Sequence, residues 1–257
     1  MKVSGAVAIV TGGASGIGKA ICQKLLENGA KVCIADIQQV AGTNAAAEFA
    51  THFPLDHVLF VHCDVTNRES FAAAFEKAEA ALGRVSVLCN NAGSVFGVQW
   101  EKTIKINLVG VMYGIEIAIE RMGRQNGGQG GVVINTASAA GLYPFPNLPA
   151  YCATKAAVCM YTKCMAARQL KQQGVRISAV CPTVVETPLL EIFIRSAVIP
   201  EEGMRAVFER TSKLKPREVA DAVHHLISDD TKNGTLLQVL PSLWNEFSYP
   251  KLPVARL

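Results

Sequence analysis

The 257 residues of the chain carry a formal net charge of +4, and half of them are hydrophobic. This composition predicts a large buried core, and the small, scattered charge disfavours nucleic acid as a partner. No apolar run is long enough to cross a bilayer, and the first residues do not resemble a secretory signal, so we expect a cytoplasmic protein without a membrane span. The eight cysteines form no C-x-x-C pair and the five histidines lack ligand spacing, so we expect reduced thiols and no metal site.

Residues 6–10 form an apolar run of strand length, and a Gly-rich turn at 11–18 leads directly into a pattern of helical period. Gly12 allows the tight turn off the strand, and Gly16 lets a pyrophosphate approach the helix start, where free N–H groups and the helix dipole favour an anion. Gly18 lets the helix pack closely on the sheet. These features predict a βαβ unit that binds a dinucleotide. The contacts expected from this turn are Gly12, Ser15, Gly16, Ile17 and Gly18.

The second predicted strand, 31–35, ends at Asp36. A carboxylate at this position accepts the two hydroxyls of an adenosine ribose. It would repel a 2′-phosphate, and neither Ser15 nor Ile37 offers a positive charge to bind one. The sequence therefore predicts NAD rather than NADP, with Asp36 and Ile37 at the adenosine.

Strand and helix patterns alternate along the rest of the chain, and the strands are nearly continuous apolar runs. The later predicted strands are 58–63, 85–89, 132–136, 175–181 and 235–240, and the later predicted helices are 39–53, 67–82, 100–122, 151–173 and 216–227. Such strands are typical of a parallel sheet covered on both faces. We predict a single α/β domain over 1–257, a doubly wound parallel sheet (Rossmann fold) with helices on both faces and a ligand crevice at the carboxyl ends of the strands.

Two C-terminal segments have less regular patterns. Residues 183–215 lack a strand pattern and are predicted to form a small helical lid over the crevice. The apolar lid residues expected to line a substrate pocket are Leu189, Leu190, Ile192, Phe193 and Val198. The tail, 241–257, carries aromatic side chains that would need a partner surface.

Four polar residues indicate chemistry as well as binding. Tyr151 and Lys155 are four residues apart in a predicted helix and so share one face. A free tyrosine has a pKa of about 10, and an ammonium on the same face would lower that pKa towards neutrality. Ser138 lies just past the fifth predicted strand, where its hydroxyl can face Tyr151. Asn107 lies inside a predicted helix, where an amide has poor intrinsic preference.

These motifs resemble those of the classical short-chain dehydrogenases/reductases, over roughly residues 3 to 240. Residues 11–18 match Thr-Gly-x-x-x-Gly-x-Gly, Asp64-Val65 matches the adenine contact, and 90–93 match Asn-Asn-Ala-Gly after the fourth strand. The residues that match the Asn-Ser-Tyr-Lys tetrad are Asn107, Ser138, Tyr151 and Lys155. Within the family, the turn 125–131 and the short spacing between Gly93 and Trp100 are most similar to the 15-hydroxyprostaglandin dehydrogenases.

The resemblance implies a role for each member of the tetrad. Tyr151 is the general acid/base, and Ser138 holds the substrate oxygen. Lys155 binds the nicotinamide ribose and tunes Tyr151, and Asn107 anchors a water that links Lys155 to solvent. The further cofactor contacts that it implies are Cys63, Asp64, Val65, Asn91, Ala92, Gly93, Tyr151, Lys155, Pro182, Val184 and Thr187. It also implies a homodimer or homotetramer, paired through the long helices that carry Asn107 and Tyr151.

We therefore predict an NAD-dependent oxidoreductase that interconverts a secondary alcohol and a ketone on an apolar, medium-sized substrate, such as a lipid-derived, terpenoid or steroid-like alcohol. Two alternatives stay open. The C-terminal Ala255-Arg256-Leu257 fits a peroxisomal address of the Ser-Lys-Leu type, which would suit a peroxisomal hydroxyacyl dehydrogenase. A non-catalytic, NAD-responsive binding protein is the other, and the intact tetrad disfavours it.

Overall fold

A computed structural model describes residues 1–97, 99–196 and 200–250. The strands are β1 (Val7–Thr11), β2 (Lys31–Asp36), β3 (Val58–His62), β4 (Val85–Asn90), β5 (Gly131–Thr136), β6 (Val175–Pro182), β7 (Leu236–Leu240) and β8 (Leu243–Phe247). They form one sheet in the order β3-β2-β1-β4-β5-β6-β7-β8. The pairs from β3 to β7 are parallel, and β8 is antiparallel to β7.

Helices follow most of these strands. They are α1 (Gly16–Glu27), α2 (Gln39–Ala50), α3 (Arg68–Leu82), α4 (Trp100–Ile104), α5 (Gly110–Met122), α6 (Pro149–Gln173), α7 (Pro188–Ser196), α8 (Glu201–Glu209) and α9 (Pro216–Ser228). Among the described residues, no helix combines the length and apolarity that crossing a membrane requires. In the same part of the chain, no cluster of three or more His, Cys, Asp or Glu side chains is placed to hold a metal ion.

The helices cover both faces of the sheet, as the nearly continuous apolar strands predicted. Side chains from α1, α2 and α9 pack on one face, with Ile21 and Phe49 among them. Side chains from α3, α5 and α6 pack on the other face, with Phe71 and Ile115 among them. Every residue of β1 and β6 is buried. The predicted doubly wound α/β fold is confirmed.

The predicted 100–122 helix is interrupted. A single π-helical turn, Lys105–Val109, joins α4 to α5 and contains the buried Asn107. A π-helical turn contains one extra residue, and a hydrophobic pattern of helical period does not reveal it. Single π-helical turns are frequent at functional sites. The predicted 39–53 helix also ends early, at Ala50.

The tail was predicted to need a partner surface for its aromatic side chains, and the structure supplies one for part of it within the chain. Residues 243–247 form β8, which pairs with β7 of the same sheet. The connection is a tight turn in which Ser242 has a φ of 61°. The five residues of β8 are exposed or partly exposed, so the apolar pattern typical of a central strand is missing. Ala255-Arg256-Leu257 lies outside the described residues.

The predicted lid region contains two helices, α7 and α8. Its two ends meet in an isolated parallel bridge between Val185 and Leu214. The backbone N–H of Leu214 donates to the Val184 carbonyl at 2.8 Å, and the N–H of Glu186 donates to the Leu214 carbonyl at 2.9 Å. This bridge fixes the base of the α7–α8 segment beside the carboxyl end of β6.

Candidate active site

A crevice of about 1080 Å³ opens at the carboxyl ends of the parallel strands. Pockets for one small molecule usually span roughly 300–1,000 Å³, so this crevice has room for a large ligand. It lies where a doubly wound sheet binds its ligand, beside the point at which the strand order reverses between β1 and β4. The predicted location of the crevice agrees with the structure.

One end of the crevice has the shape and polarity to cradle a dinucleotide. Gly16 opens α1 with a φ of +52°, and a Cβ there would lie 3.1 Å from the Thr187 methyl carbon. The carboxylate of Asp36 is buried and lines the crevice. Its oxygens accept the backbone N–H groups of Ala14 at 3.0 Å and Gln38 at 2.9 Å. These bonds fix the carboxylate and leave lone pairs for ribose hydroxyls, so the residues present fit a dinucleotide.

Nearly all of the predicted cofactor contacts line this crevice. They are Gly12, Ser15, Gly16, Ile17, Asp36, Ile37, Cys63, Asp64, Val65, Asn91, Ala92, Gly93, Tyr151, Lys155, Pro182, Val184 and Thr187. Gly18 is not among the lining residues. A side chain there would collide with the carbonyl of Gly12, so Gly18 allows α1 to pack on the turn and does not face the crevice.

Asn91 ties the ends of two strands together. Its Nδ2 donates to the carbonyl oxygens of Thr11 at 3.1 Å and Gly12 at 3.3 Å. The Thr11 hydroxyl accepts in return from the backbone N–H groups of Asn91 at 2.9 Å and Ala92 at 3.0 Å. The Asn-Ala-Gly segment after β4 is therefore held against the Gly-rich turn after β1.

Tyr151 and Lys155 meet in the buried middle of the crevice. The Lys155 Nζ lies 5.6 Å from the centre of the Tyr151 ring and donates to the Thr136 carbonyl at 2.7 Å. Only 3% of Lys155 and 6% of Tyr151 are exposed. Both side chains leave the first turns of α6 on one face, as their spacing predicted.

Ser138 supplies a third polar group beside the Tyr151 phenol. Its oxygen accepts the backbone N–H of Ala140 at 3.1 Å, which leaves the hydroxyl proton to donate elsewhere. Hydrogen bonding from Ser138 lowers the pKa of Tyr151. The three predicted catalytic side chains Ser138, Tyr151 and Lys155 therefore come together.

Burial dominates the ionisation of both buried groups. It raises the pKa of the Tyr151 phenol well above its usual value, and the hydrogen bond from Ser138 opposes this only in part. It lowers the pKa of Lys155 from 10.5 to about 8. The sequence predicted a lowered pKa for Tyr151. The protein residues on their own raise this pKa, so the predicted direction is wrong for them. Removal from water penalises the phenolate and the ammonium alike, and Phe193 adds to it by packing edge-on to the Tyr151 ring at 4.7 Å.

Asn107 lies behind the crevice wall and hydrogen-bonds to the backbone of Ser94. Its Oδ1 accepts the backbone N–H of Ser94 and its Nδ2 donates to the Ser94 carbonyl, both at 2.8 Å. The Nδ2 also lies 3.3 Å from the Thr154 hydroxyl. A Cβ at Gly93 would lie 3.4 Å from the Asn107 Oδ1 and 3.6 Å from the Lys155 Nζ. Asn107 is thus next to the site without lining the crevice, and its role in anchoring a water stays a prediction.

Apolar side chains surround the Tyr151 end. Tyr151 packs with Val95 and Leu148, and the partly buried rings of Phe145 and Phe193 lie against this cluster. The predicted lid residues that line the crevice are Leu189, Leu190, Ile192 and Phe193. Val198 lies outside the described residues.

The family model described as short chain dehydrogenase matches residues 6–195. The chain belongs to the short-chain dehydrogenase family. This oxidoreductase is 38% identical over 253 residues to the 15-hydroxyprostaglandin dehydrogenase [NAD(+)] of Mus musculus, covering 94% of this chain and 92% of the relative. It is 32% identical to the 3-hydroxyacyl-CoA dehydrogenase type-2 of Drosophila melanogaster, covering 92% and 96%.

Solved structures agree with this family assignment. A short-chain dehydrogenase/reductase from Burkholderia phymatum in complex with NAD superimposes with a TM-score of 0.81 at 27% identity. The match covers 94% of this chain and 91% of that one. The predicted resemblance to classical short-chain dehydrogenases, and within them to the 15-hydroxyprostaglandin dehydrogenases, is confirmed.

Sequence reasoning missed several crevice residues of this short-chain dehydrogenase. Those that also line the crevice include Gln38, Thr66, Ser94, Phe96, Lys102, Lys105, Ile106, Tyr143, Pro144, Phe145 and Phe208. Gln38, Thr66 and Ser94 follow strand ends, so their position was a usable signal. Tyr143 and Phe208 carry no such signal, because only the packing of the loop and lid brings them to the crevice.

Proposed function

We propose that this short-chain dehydrogenase uses NAD to interconvert a secondary alcohol and a ketone on an apolar, medium-sized substrate. The observation that carries the proposal is the meeting of Ser138, Tyr151 and Lys155 at the apolar end of a crevice that also holds the buried Asp36. Three convergent polar groups in an apolar pocket suit a substrate with one reacting oxygen on a hydrophobic body.

The side chains divide the proton chemistry between them. NAD, when bound, supplies the hydride acceptor for oxidation and, in its reduced form, the donor for reduction. Ser138 and Tyr151 hold the substrate oxygen by hydrogen bonds. During oxidation Tyr151 first loses its own proton to solvent, and the resulting phenolate accepts the hydroxyl proton of the substrate. In the reverse direction the neutral phenol donates that proton. The Lys155 ammonium, charged below a pKa of about 8, stabilises the phenolate.

Asp36 supports NAD over NADP. Its buried carboxylate is held by two backbone N–H groups, so it cannot swing away from a 2′-phosphate. Bringing a phosphate dianion against a fixed carboxylate costs free energy by like-charge repulsion. The mouse relative, named for NAD(+), supports the same choice.

The test is a panel of secondary alcohols and ketones, including a 15-hydroxyprostaglandin, assayed with NAD and NADP by nicotinamide absorbance. We expect turnover with apolar alcohols and NAD, and much weaker turnover with NADP. A strong NADP preference would contradict the role of Asp36. Nicotinamide binding without any turnover would instead favour the non-catalytic binding protein.

A hydroxyacyl substrate is the second candidate, and the Drosophila relative supports it. Adding a 3-hydroxyacyl-CoA to the same panel separates the two candidate substrates. A kcat/KM for the 3-hydroxyacyl-CoA above that of every simple alcohol would favour the hydroxyacyl substrate. A peroxisomal location is tested separately by imaging the chain with and without its last three residues. An unchanged cytosolic distribution would remove the reason for proposing that location.

A further inference from the structure

Three aromatic rings connect the C-terminal strand to the wall of the crevice. We call Tyr143, Phe247 and Tyr249 the aromatic ladder. The Phe247 ring packs edge-on to the Tyr143 ring at 6.1 Å, with 81° between the planes. The Tyr249 ring packs edge-on to Phe247 at 5.3 Å and 88°. These are the T-shaped arrangements that aromatic pairs prefer, so the ladder is a defined contact between β8 and the crevice.

The register of β8 determines which face of the sheet the Phe247 ring packs on. Phe247 pairs with Leu236, and Trp244 pairs with Val239. Side chains alternate along a strand, so Phe247 and Trp244 leave opposite faces. Phe247 packs on the core beneath α6. Trp244 lies against His225 of α9 at 5.5 Å on the other side of the sheet.

Tyr143 lies in the loop between Ser138 and Tyr151, and it lines the crevice beside Phe145. The preceding residue, Leu142, packs into the same core as Phe247. Tyr143 is 51% exposed, so one side of its ring meets Phe247 while another part remains accessible to a ligand.

We propose that Tyr143 is a specificity-determining residue that contacts the apolar body of the substrate, and that Phe247 is a positioning residue acting through it. The inference rests on the proposed function and deepens it. The C-terminal strand, which lies beyond the 6–195 match to the family model, then supports the wall of the substrate site through its contact with Tyr143. Tyr143 is not among the side chains that pack with Tyr151, so we expect it to contact the part of the substrate remote from the reacting carbon. Displacement of Tyr143 then affects the binding of a long apolar substrate and not that of a short one.

The experiment measures NAD-linked oxidation of decan-2-ol and propan-2-ol by the wild type, Phe247→Leu, Tyr143→Ala and the double variant. Phe247→Leu keeps an apolar side chain on the core and removes only the ring. We expect it to lower kcat/KM for decan-2-ol by roughly 2- to 10-fold, the effect of losing the edge-to-face contact with Tyr143. The change appears in the KM for decan-2-ol. The kcat/KM for propan-2-ol and the KM for NAD stay unchanged. Phe247→Tyr keeps the ring and restores the wild-type values.

The double variant separates positioning from a merely structural role. If Phe247 acts through Tyr143, adding Phe247→Leu to Tyr143→Ala costs nothing further for decan-2-ol. Trp244→Ala, on the opposite face of the same strand, is the matched control and leaves both alcohols unchanged. Equal losses for both alcohols, or fully additive losses in the double variant, would overturn the inference alone. A wild type that oxidises neither alcohol nor any other substrate in the panel would overturn the proposed function and this inference with it.

Discussion

Replacing Lys155 by methionine is expected to stabilise the protein while it removes activity. Lys155 is 3% exposed, and burial lowers the pKa of its ammonium from 10.5 to about 8. At about 1.36 kcal/mol per pKa unit, keeping the charge at pH 7 costs the folded state roughly 3 kcal/mol. Loss of the 2.7 Å hydrogen bond to the Thr136 carbonyl offsets roughly 1 kcal/mol of this. We therefore expect Lys155→Met to raise the free energy of unfolding by roughly 2 kcal/mol at pH 7.

The stability difference between Lys155→Met and the wild type depends on pH, because the pKa of Lys155 is lowered in the folded protein. Between pH 8 and 10.5 the unfolded chain keeps the Lys155 proton and the folded protein loses it, so the stability of the wild type rises with pH. Methionine does not titrate, so the advantage of Lys155→Met is full below about pH 8 and shrinks as the pH approaches 10.5.

Urea denaturation at pH 7, 8.5 and 10 measures the effect, alongside Lys171→Met as the matched control. Lys171 is an exposed lysine on the same helix, so its replacement is expected to change stability by less than about 0.5 kcal/mol. A Lys155→Met variant less stable than the wild type at pH 7, or a difference that does not shrink with pH, would refute the reasoning.

Three further variants, one of them with a matched control, test the walls of the crevice. Gly16→Ala brings a Cβ within 3.1 Å of a neighbouring methyl carbon and should weaken NADH binding roughly 10-fold by fluorescence titration. Gly127→Ala, with a φ of +83° but nothing within 4 Å, should share the backbone strain and keep the affinity; equal affinities for the two would count against the cradle. Asn107→Ala removes both 2.8 Å bonds to Ser94 and should lower the free energy of unfolding by roughly 2–3 kcal/mol in urea; a loss below about 0.5 kcal/mol would argue against its positioning role. Asp36→Asn keeps the shape of the side chain and removes its charge, so the KM for NAD should rise roughly 10-fold and the KM for NADP should fall. An unchanged ratio of the two KM values would contradict the role of Asp36 in selecting NAD.

The first half of the fold was accessible from the sequence because its signals are local. The apolar run of β1, the glycines that open α1 and the carboxylate that closes β2 follow one another within 36 residues. Each has a physical reason that depends on its immediate neighbours. The spacing of Tyr151 and Lys155 is local as well, since both lie on one face of α6.

The features that the sequence did not reveal depend on distant contacts. The strand β8 has little buried surface of its own and forms because β7 offers it an edge. The raised pKa of Tyr151 depends on burial, to which Phe193 of α7 contributes. The contact between Tyr143 and Phe247 joins residues about a hundred positions apart, and no periodicity or motif predicts such a pair.

Replacing Tyr151 by phenylalanine tests the central claim most directly, because it removes one hydroxyl and keeps the ring that packs on Phe193. The measurement is kcat/KM for NAD-linked oxidation of the best secondary alcohol, with NADH affinity and melting temperature recorded for the same preparation. The account predicts a loss of roughly 100- to 10,000-fold, the usual contribution of general acid–base catalysis, with NADH affinity unchanged. A variant that binds NADH normally and keeps more than about a tenth of the wild-type kcat/KM would contradict it.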